Sequence, residues 1–332
     1  MRVSIAKKWS LLLILFFMAL PALAPAQQLE PVIMGVVGLS INSIHPFISR
    51  EAGLFSKYGI DARLVVFEGG STLAQAAISG EVKFSNTSGP VSISSRSAGA
   101  DRIIVAAHIN ILPYSLIAAK GITRWEQLKG KRIAISRFGS GTDTAVRLVL
   151  EKFGLNPDKD FTILQLGPQT TRYSALTTGS TDATLVAPPF DVTAKKQGYP
   201  ILADMAALRI PYAQQVIETS DRMIREHPQT VKNVLKGFVA GLNYGFANPE
   251  PTKKIMVKYL KVADPEILDR TYQHYTEITE RKPYPNMEGV RYAVEEVAKR
   301  VPAAKGKKPE DFINLSFLNE LDKEGFFKEP SK

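Results

Sequence analysis

The sequence predicts an α/β protein built of two similar lobes, and three observations carry that prediction. From residue 32 to residue 186, β-rich runs alternate with helical patterns, and crossover helices between such runs leave neighbouring strands parallel. One pattern occurs twice. A helix closed by Gly80, a strand at 82–85 and a Pro-containing loop correspond, 99 residues on, to a helix closed by Gly179, a strand at 183–186 and another Pro-containing loop. Beyond Ile217 the pattern is helical only.

Residues 32–37 form a β-rich run ending in the Gly35/Gly38 region. Pro46 suits the first turn of the next helix, and Gly53 and Gly59 punctuate the stretch after it. Residues 62–67 are a second strand closed by Gly69-Gly70, after which Ser71 or Thr72 caps a helix running to Ile78. The strand at 82–85 leads through the loop 86–90 to a further helix, and 103–107 is a fourth strand. A second unit begins with the strand 131–136. Gly139-Ser140-Gly141-Thr142 then opens a helix bearing Val146, Val149, Leu150 and Phe153, which Gly154 stops. Strand 161–166, helix 171–178 and strand 183–186 complete it, the last running into Ala187-Pro188-Pro189-Phe190. In the helical tail, Pro228 starts a long amphipathic helix with Val231, Val234, Leu235, Phe238, Val239 and Leu242 on one face. Further helical patterns at 252–260, 265–280, 287–300 and 312–324 need a sheet to cover, and the first lobe's is the one left bare.

Composition narrows the function. A chain of 332 residues gives roughly two domains, and 45% hydrophobic with 22% charged residues excludes a disordered, collagenous or coiled-coil protein. There are no cysteines. Disulfides, thiolate metal sites, Cys nucleophiles, iron–sulfur clusters and a lipidated N-terminal Cys are therefore excluded. Four histidines leave little scope for a His-based metal cluster, and no metal or cofactor is expected.

The N-terminus reads as an export signal. Arg2, Lys7 and Lys8 precede an apolar run at 11–20, too short for the roughly 20 residues that span a bilayer. Two Ala-x-Ala sites come next. Cleavage after Ala24 would put Pro25 directly behind the scissile bond, so the cut is placed after Ala26, with 1–26 as signal peptide and Gln27 as first mature residue. The expectation is a periplasmic protein, not a lipoprotein and not inserted in the membrane after cleavage. Without the signal, the net charge falls from +10 to about +7. Much of the excess lies at Lys305, Lys307, Lys308, Lys323 and Lys328, which reads as a solvated surface. No RNP-like or helix-turn-helix pattern points to nucleic acid.

Five segments together resemble a known family. Residues 50–60, Arg-Glu-Ala-Gly-Leu-Phe-Ser-Lys-Tyr-Gly-Ile, resemble the "GLFKKYGL" segment of nitrate-, sulfonate- and taurine-type solute-binding proteins of ABC transporters. Gly69-Gly70-Ser71 with Ala77-Ile78-Ser79-Gly80-Glu81-Val82 resembles that family's "GG-S…AL-SGEVD" stretch, and residues 125–134 its "DLKGKKIAV" stretch. The Gly139–Thr142 turn and Glu226-His227-Pro228 fall in the expected order. Lys83 departs, standing where the family usually carries Asp. The resemblance implies a two-lobed type II periplasmic binding protein. Lobe 1 would comprise 27–113 and 215–332, and lobe 2 would comprise 114–214, joined by hinge segments at 112–119 and 212–219. It also implies a monomer that holds a small-molecule solute in the inter-lobe cleft and docks on ABC permease and ATPase subunits.

The turns supply the chemistry of such a cleft. The turns at 38–43, 69–72, 85–88 and 139–142 are short, small and rich in hydroxyls. A helix N-terminus leaves about four N–H groups unpaired and favours negative charge. Such turns hold a carboxylate or sulfonate with main-chain amides and hydroxyls. The expected contacts are Gly139, Ser140, Gly141 and Thr142 from the second lobe, opposed by Gly70, Ser71, Thr72, Thr87 and Ser88. Ser40, Asn42 and Ser43 of the first turn, His45, His108 and Pro188 complete the set. Tyr114 and Tyr173 are candidate stacking or packing residues, Phe190 an apolar wall, and Arg137 and Arg172 anion ligands if they point inward. Gly-x-Ser-x-Gly, HExxH and Walker A patterns are absent, and GSGT lacks the P-loop lysine. No catalytic residue is expected. The alternatives are an exported or fold-related enzyme acting on a pyrimidine-like or carboxylate substrate, since fold does not fix function, or the ligand-sensing partner of a receptor.

Overall fold

The computed structural model describes residues 28–327; the expected signal peptide and its cleavage site lie outside them. Among the described residues, ten strands form two sheets. They are β1 (Glu30–Val37), β2 (Ile60–Phe67), β3 (Phe84–Thr87), β4 (Ile103–Ile111), β5 (Ser115–Ala118), β6 (Arg132–Ile135), β7 (Thr162–Gln165), β8 (Ala183–Val186), β9 (Ile201–Asp204) and β10 (Pro211–Thr219). The first sheet runs β2-β1-β3-β10-β4 and the second β7-β6-β8-β5-β9. The two orders are the same pattern. The predicted internal correspondence is met: β3 and β8 are the third strands of their sheets, each preceded by a helix (Gly70–Ile78 and Gln169–Thr177) and a left-handed glycine, Gly80 or Gly179.

Each sheet is mainly parallel in strand direction and mixed in pairing, with one strand, β10 or β5, running against the other four. β2-β1-β3 pair in parallel and β3-β10-β4 antiparallel, and β7-β6-β8 and β8-β5-β9 repeat this. The reason lies in the crossings. A strand arriving from the other lobe starts at the edge facing that lobe and must run away from it, against the strands beside it. β5 and β10 are those strands. The first crossing occupies 112–114 and the return 205–210, so 212–219 is not itself a crossing but part of β10, between β3 and β4 in the first sheet.

The helical tail covers the first sheet as its pattern demands. Helix Pro228–Ala247 buries Val231, Val234, Leu235, Phe238 and Leu242 against Val32, Met34, Phe84, Val105 and Ile217, the 3-4 spacing of an apolar stripe. Helix Met287–Ala298 lies against β10 and helix Gly89–Ser97. The tail also reaches the second lobe: Lys196 of helix Phe190–Lys196 pairs with Asp264 at 3.1 Å and Glu266 at 2.7 Å, beside helix Pro265–Ile278. The pattern expected at 312–324 resolves into a single turn, Pro309–Phe312, and helix Ser316–Lys323. Among the described residues no helix is long and apolar enough to cross a membrane.

Candidate functional site

The C-terminal ends of β1, β2, β3, β6 and β7 converge on one cavity between the sheets, about 600 Å3 counting its open mouth. This is where open α/β sheets take their ligands. The turn after β1 brings Ser40 and Asn42, the turn after β2 brings Glu68 and Gly70, and the turn after β3 brings Ser88. Across the cleft stand Ser136, Ser140, Gly141 and Thr142 after β6, and Gln169 and Arg172 after β7. Tyr114 of the first crossing and Gln214 and Gln215 of β10 also border the cavity.

The turn after β6 is built from its own hydroxyls. Ser136 Oγ donates to Ser140 Oγ at 2.8 Å, and Thr142 Oγ1 lies 2.9 Å from Ser136 Oγ and 3.0 Å from Ser140 Oγ. Ser140 is the N-cap of helix Gly141–Lys152, accepting from the Asp143 amide. Gly141 is required by close approach: a Cβ there would stand 2.8 Å from Ser88 Cβ and from Gln214 Nε2. The two lobes therefore meet at this point. They also meet at the rim, where Arg137 pairs with Glu68 at 2.7 Å and Ser71 Oγ donates to the Phe138 carbonyl at 2.8 Å.

Arg172 is the one cation in this wall, and it is 3% exposed. It donates to the carbonyls of Gly167 (2.6 Å) and Leu185 (3.0 Å) and to Thr184 Oγ1 (3.2 Å), all neutral acceptors. No carboxylate among the described residues pairs with it, and part of its five-donor fork remains uncommitted. Burial pulls its pKa down to about 10, so it remains charged at neutral pH. Around it, Asn42 Oδ1, Ser88 Oγ and Gln214 Oε1 are buried without a protein partner. Gln214 Nε2 donates to Tyr114 Oη at 2.9 Å, and Gln215 Nε2 to Asn86 Oδ1 at 2.6 Å. Orphaned buried groups are rare in folded proteins. Here they border a cavity with a positive wall.

Of the residues expected from the sequence, Ser40, Asn42, Gly70, Ser88, Ser140, Gly141 and Thr142 border this cavity and the rest do not. Ser43 holds the first turn, donating to the Gly38 carbonyl at 2.9 Å. Helix Gly70–Ile78 starts after Gly69, so neither Ser71 nor Thr72 caps it; Thr72 Oγ1 donates to the Gly69 carbonyl at 2.7 Å, and Ser71 sits at the rim. Thr87 ends β3 with its hydroxyl buried and unpaired. Gly139 adopts φ +71° and donates its amide to Asp143. Pro188 lies beyond β8, off the cavity wall.

His45 and His108 belong to the core. Each is 1% exposed, their ring centroids lie 5.3 Å apart, and both pack on Phe238. The first helix turns His45 inward, toward Tyr275 Oη at 3.3 Å, and the alternation of β4 turns His108 under the sheet. Of the residues the sequence left uncommitted, Arg172 and Tyr114 face the cavity, whereas Arg137 is neutralised at the rim. Gln169, Gln214 and Gln215 were missed. Their signals were a fifth turn of the same kind, Gly167-Pro168-Gln169-Thr170-Thr171, and two adjacent amides inside the otherwise apolar run Tyr212–Ile217.

Two lobes closed on a cleft at the ends of their strands make this a periplasmic-binding-protein fold, the architecture of the substrate-binding proteins of ABC import systems. The NMT1/THI5-like family profile matches residues 40–252, and the chain belongs to that family. A provisionally named binding protein of Brucella abortus (strain 2308) is 30% identical over 253 residues, covering 73% of this chain and 75% of that protein. Two solved structures are similar in fold. The periplasmic nitrate-binding protein NrtA of Synechocystis PCC 6803 has a TM-score of 0.71 at 15% identity, covering 92% of this chain and 89% of that one. The alkanesulfonate-binding protein SsuA of Xanthomonas axonopodis pv. citri, bound to MOPS, has 0.69 at 19% identity, covering 87% and 96%. The resemblance read from the five segments is thus met in both family and fold.

Proposed function

We propose that the protein is the periplasmic solute-binding component of an ABC importer, capturing a small organic anion in its inter-lobe cleft and delivering it to a membrane permease. The observation that carries the anionic reading is Arg172, a buried guanidinium on the cavity wall whose hydrogen-bond partners are all neutral. An isolated buried charge is costly unless a counter-charge joins it, and a solute carboxylate or sulfonate supplies one. The N-termini of helices Gly141–Lys152 and Gln169–Thr177 face the same space and favour the same sign. NrtA and SsuA are named for binding nitrate and alkanesulfonates, which agrees with this reading.

Capture proceeds without reaction. Contacts to both lobes favour the closed form, and a solute shifts the opening equilibrium only by its difference in affinity between the two forms. The test is a thermal-shift panel of organic carboxylates, sulfonates and neutral analogues on the chain from Gln27. An anion present at 100 times its dissociation constant stabilises by about 2.7 kcal/mol, and the neutral analogues do not. Ser140→Asp keeps a good N-cap residue while placing a negative charge in the cavity. It is expected to unfold at the wild-type temperature and to lose the anion response. An undiminished response overturns the assignment.

A further inference from the structure

The cavity wall holds hydrogen-bond acceptors that an anionic group cannot satisfy. Asn42 and Gln214 are 4% and 1% exposed, and Asn42 Oδ1 and Gln214 Oε1 have no protein partner. Both side chains line the cavity together with Tyr114 and Arg172. Their amides meet on one atom. Gln214 Nε2 donates to Tyr114 Oη at 2.9 Å, and the Asn42 side chain is a second partner of that oxygen.

The consequence does not depend on which way either amide is turned. A phenol carries one proton, so at most one of the two amides can point its oxygen at Tyr114 and accept. The other must donate there, which leaves its own carbonyl oxygen over. At least one buried amide acceptor therefore remains for whatever enters the cavity. Arg172 does not serve it, since its donors go to Gly167, Leu185 and Thr184. A carboxylate or sulfonate cannot serve it either, because its oxygens are acceptors themselves. Leaving such a group unpaired weakens binding by roughly five- to 150-fold.

The missing donor is neutral. Among the described residues, Glu68 is the one carboxylate lining the cavity, and Arg137 holds it at the rim at 2.7 Å. An ammonium group would share the closed space with the Arg172 charge and find no free counter-charge.

We infer that the solute is a substituted anion, a carboxylate or sulfonate on Arg172 that also carries a neutral O–H or N–H donated to the Asn42–Gln214 amide pair. This rests on the anionic reading of the cavity. It narrows that reading to hydroxy- or acylamino-substituted acids and sets apart unsubstituted alkyl anions, inorganic oxyanions and zwitterions.

Calorimetric titration of the chain from Gln27 with matched pairs tests the donor. Lactate adds a hydroxyl to propionate, 2-hydroxyethanesulfonate adds one to ethanesulfonate, and N-acetylglycine has N–H in place of a methylene of 4-oxopentanoate. In at least one pair the donor-bearing member is expected to bind at least about fivefold more tightly. Taurine, whose donor is charged, is expected to bind more weakly than 2-hydroxyethanesulfonate. Asn42→Leu or Gln214→Met, each of similar shape without the acceptor, is expected to bring the ratio within that pair toward one. The wild-type ratios decide alone should both variants fold poorly. Equal affinity within all three pairs assigns the amides to a resident water, overturning the inference and leaving the anionic cavity standing. Taurine bound more tightly than 2-hydroxyethanesulfonate overturns the neutral donor, and a ratio unchanged in both folded variants overturns its placement. Lactamide bound as tightly as lactate overturns the anionic reading itself.

Discussion

Arg172 and the pair His45–His108 are buried polar groups of opposite consequence. Arg172 keeps its charge at the cavity wall among neutral acceptors. The imidazoles are held neutral: burial is the main force on both, lowering His108 from 6.5 to about 3 and His45 well below its ordinary value. Because the folded chain refuses protons that the unfolded chain accepts, the stability tied to these residues is full above about pH 6.5. It is lost as pH falls toward about 3, at roughly 1.4 kcal/mol per pH unit for each fully linked group. The carboxylates held low by partners, such as Glu51 and Asp182, act only further into acid. His108→Leu removes a buried imidazole and one proton from this linkage. Urea unfolding between about pH 6 and 5 is expected to show a slope reduced by up to roughly 1.4 kcal/mol per unit, with anion affinity unchanged. An unaltered slope contradicts the neutral-imidazole account.

Turns between strand and helix are the elements on which the cleft depends, and most of them are legible in the sequence. Gly-Ser-Gly-Thr at 139–142 announces a helix start whose backbone something must approach, and the structure places Ser88 and Gln214 there. Gly141→Ala tests that contact. Alanine suits a helix, so the unliganded chain is expected to unfold as before. Its methyl meets Ser88 and Gln214 at 2.8 Å, and relieving such overpacking costs about 1–3 kcal/mol. The expected result is solute affinity lower by roughly ten- to a hundredfold and a radius of gyration that no longer contracts on adding solute. Wild-type affinity contradicts the closed geometry. Other elements escaped the reading for physical reasons. β9 (Ile201–Asp204) is an edge strand whose place beside β5 only the folded sheet defines. The direction of the Arg172 side chain depends on Gly167, Thr184 and Leu185, partners that only the folded lobe assembles. His45 and His108 looked like ligands because a polar residue beside a turn carries no mark of which side of the sheet it will take.

Across the whole molecule, the same five-strand order is built twice and the chain crosses between the copies twice. The alternation of runs and the repeat about Gly80 and Gly179 made the two lobes legible. The mixed pairing was not, since strand direction follows from the crossings and not from any local pattern. Around the cleft the closed lobes are tied by polar contacts on several sides: Arg137–Glu68, Lys299–Glu151 at 2.7 Å, and Lys196 with Asp264 and Glu266. Exposed pairs of this kind contribute about 0–1 kcal/mol each, too little to fix the lobes shut on their own. On the proposed function, the solute's own contacts decide closure. The most direct test is a crystal structure of the chain from Gln27 grown with the tightest-binding anion of the panel. The head group's oxygens are expected within hydrogen-bonding distance of the Arg172 guanidinium, between Ser88 and the Ser140–Thr142 turn, with the lobes closed. An anion bound elsewhere, with Arg172 still facing only Gly167, Thr184 and Leu185, contradicts the account.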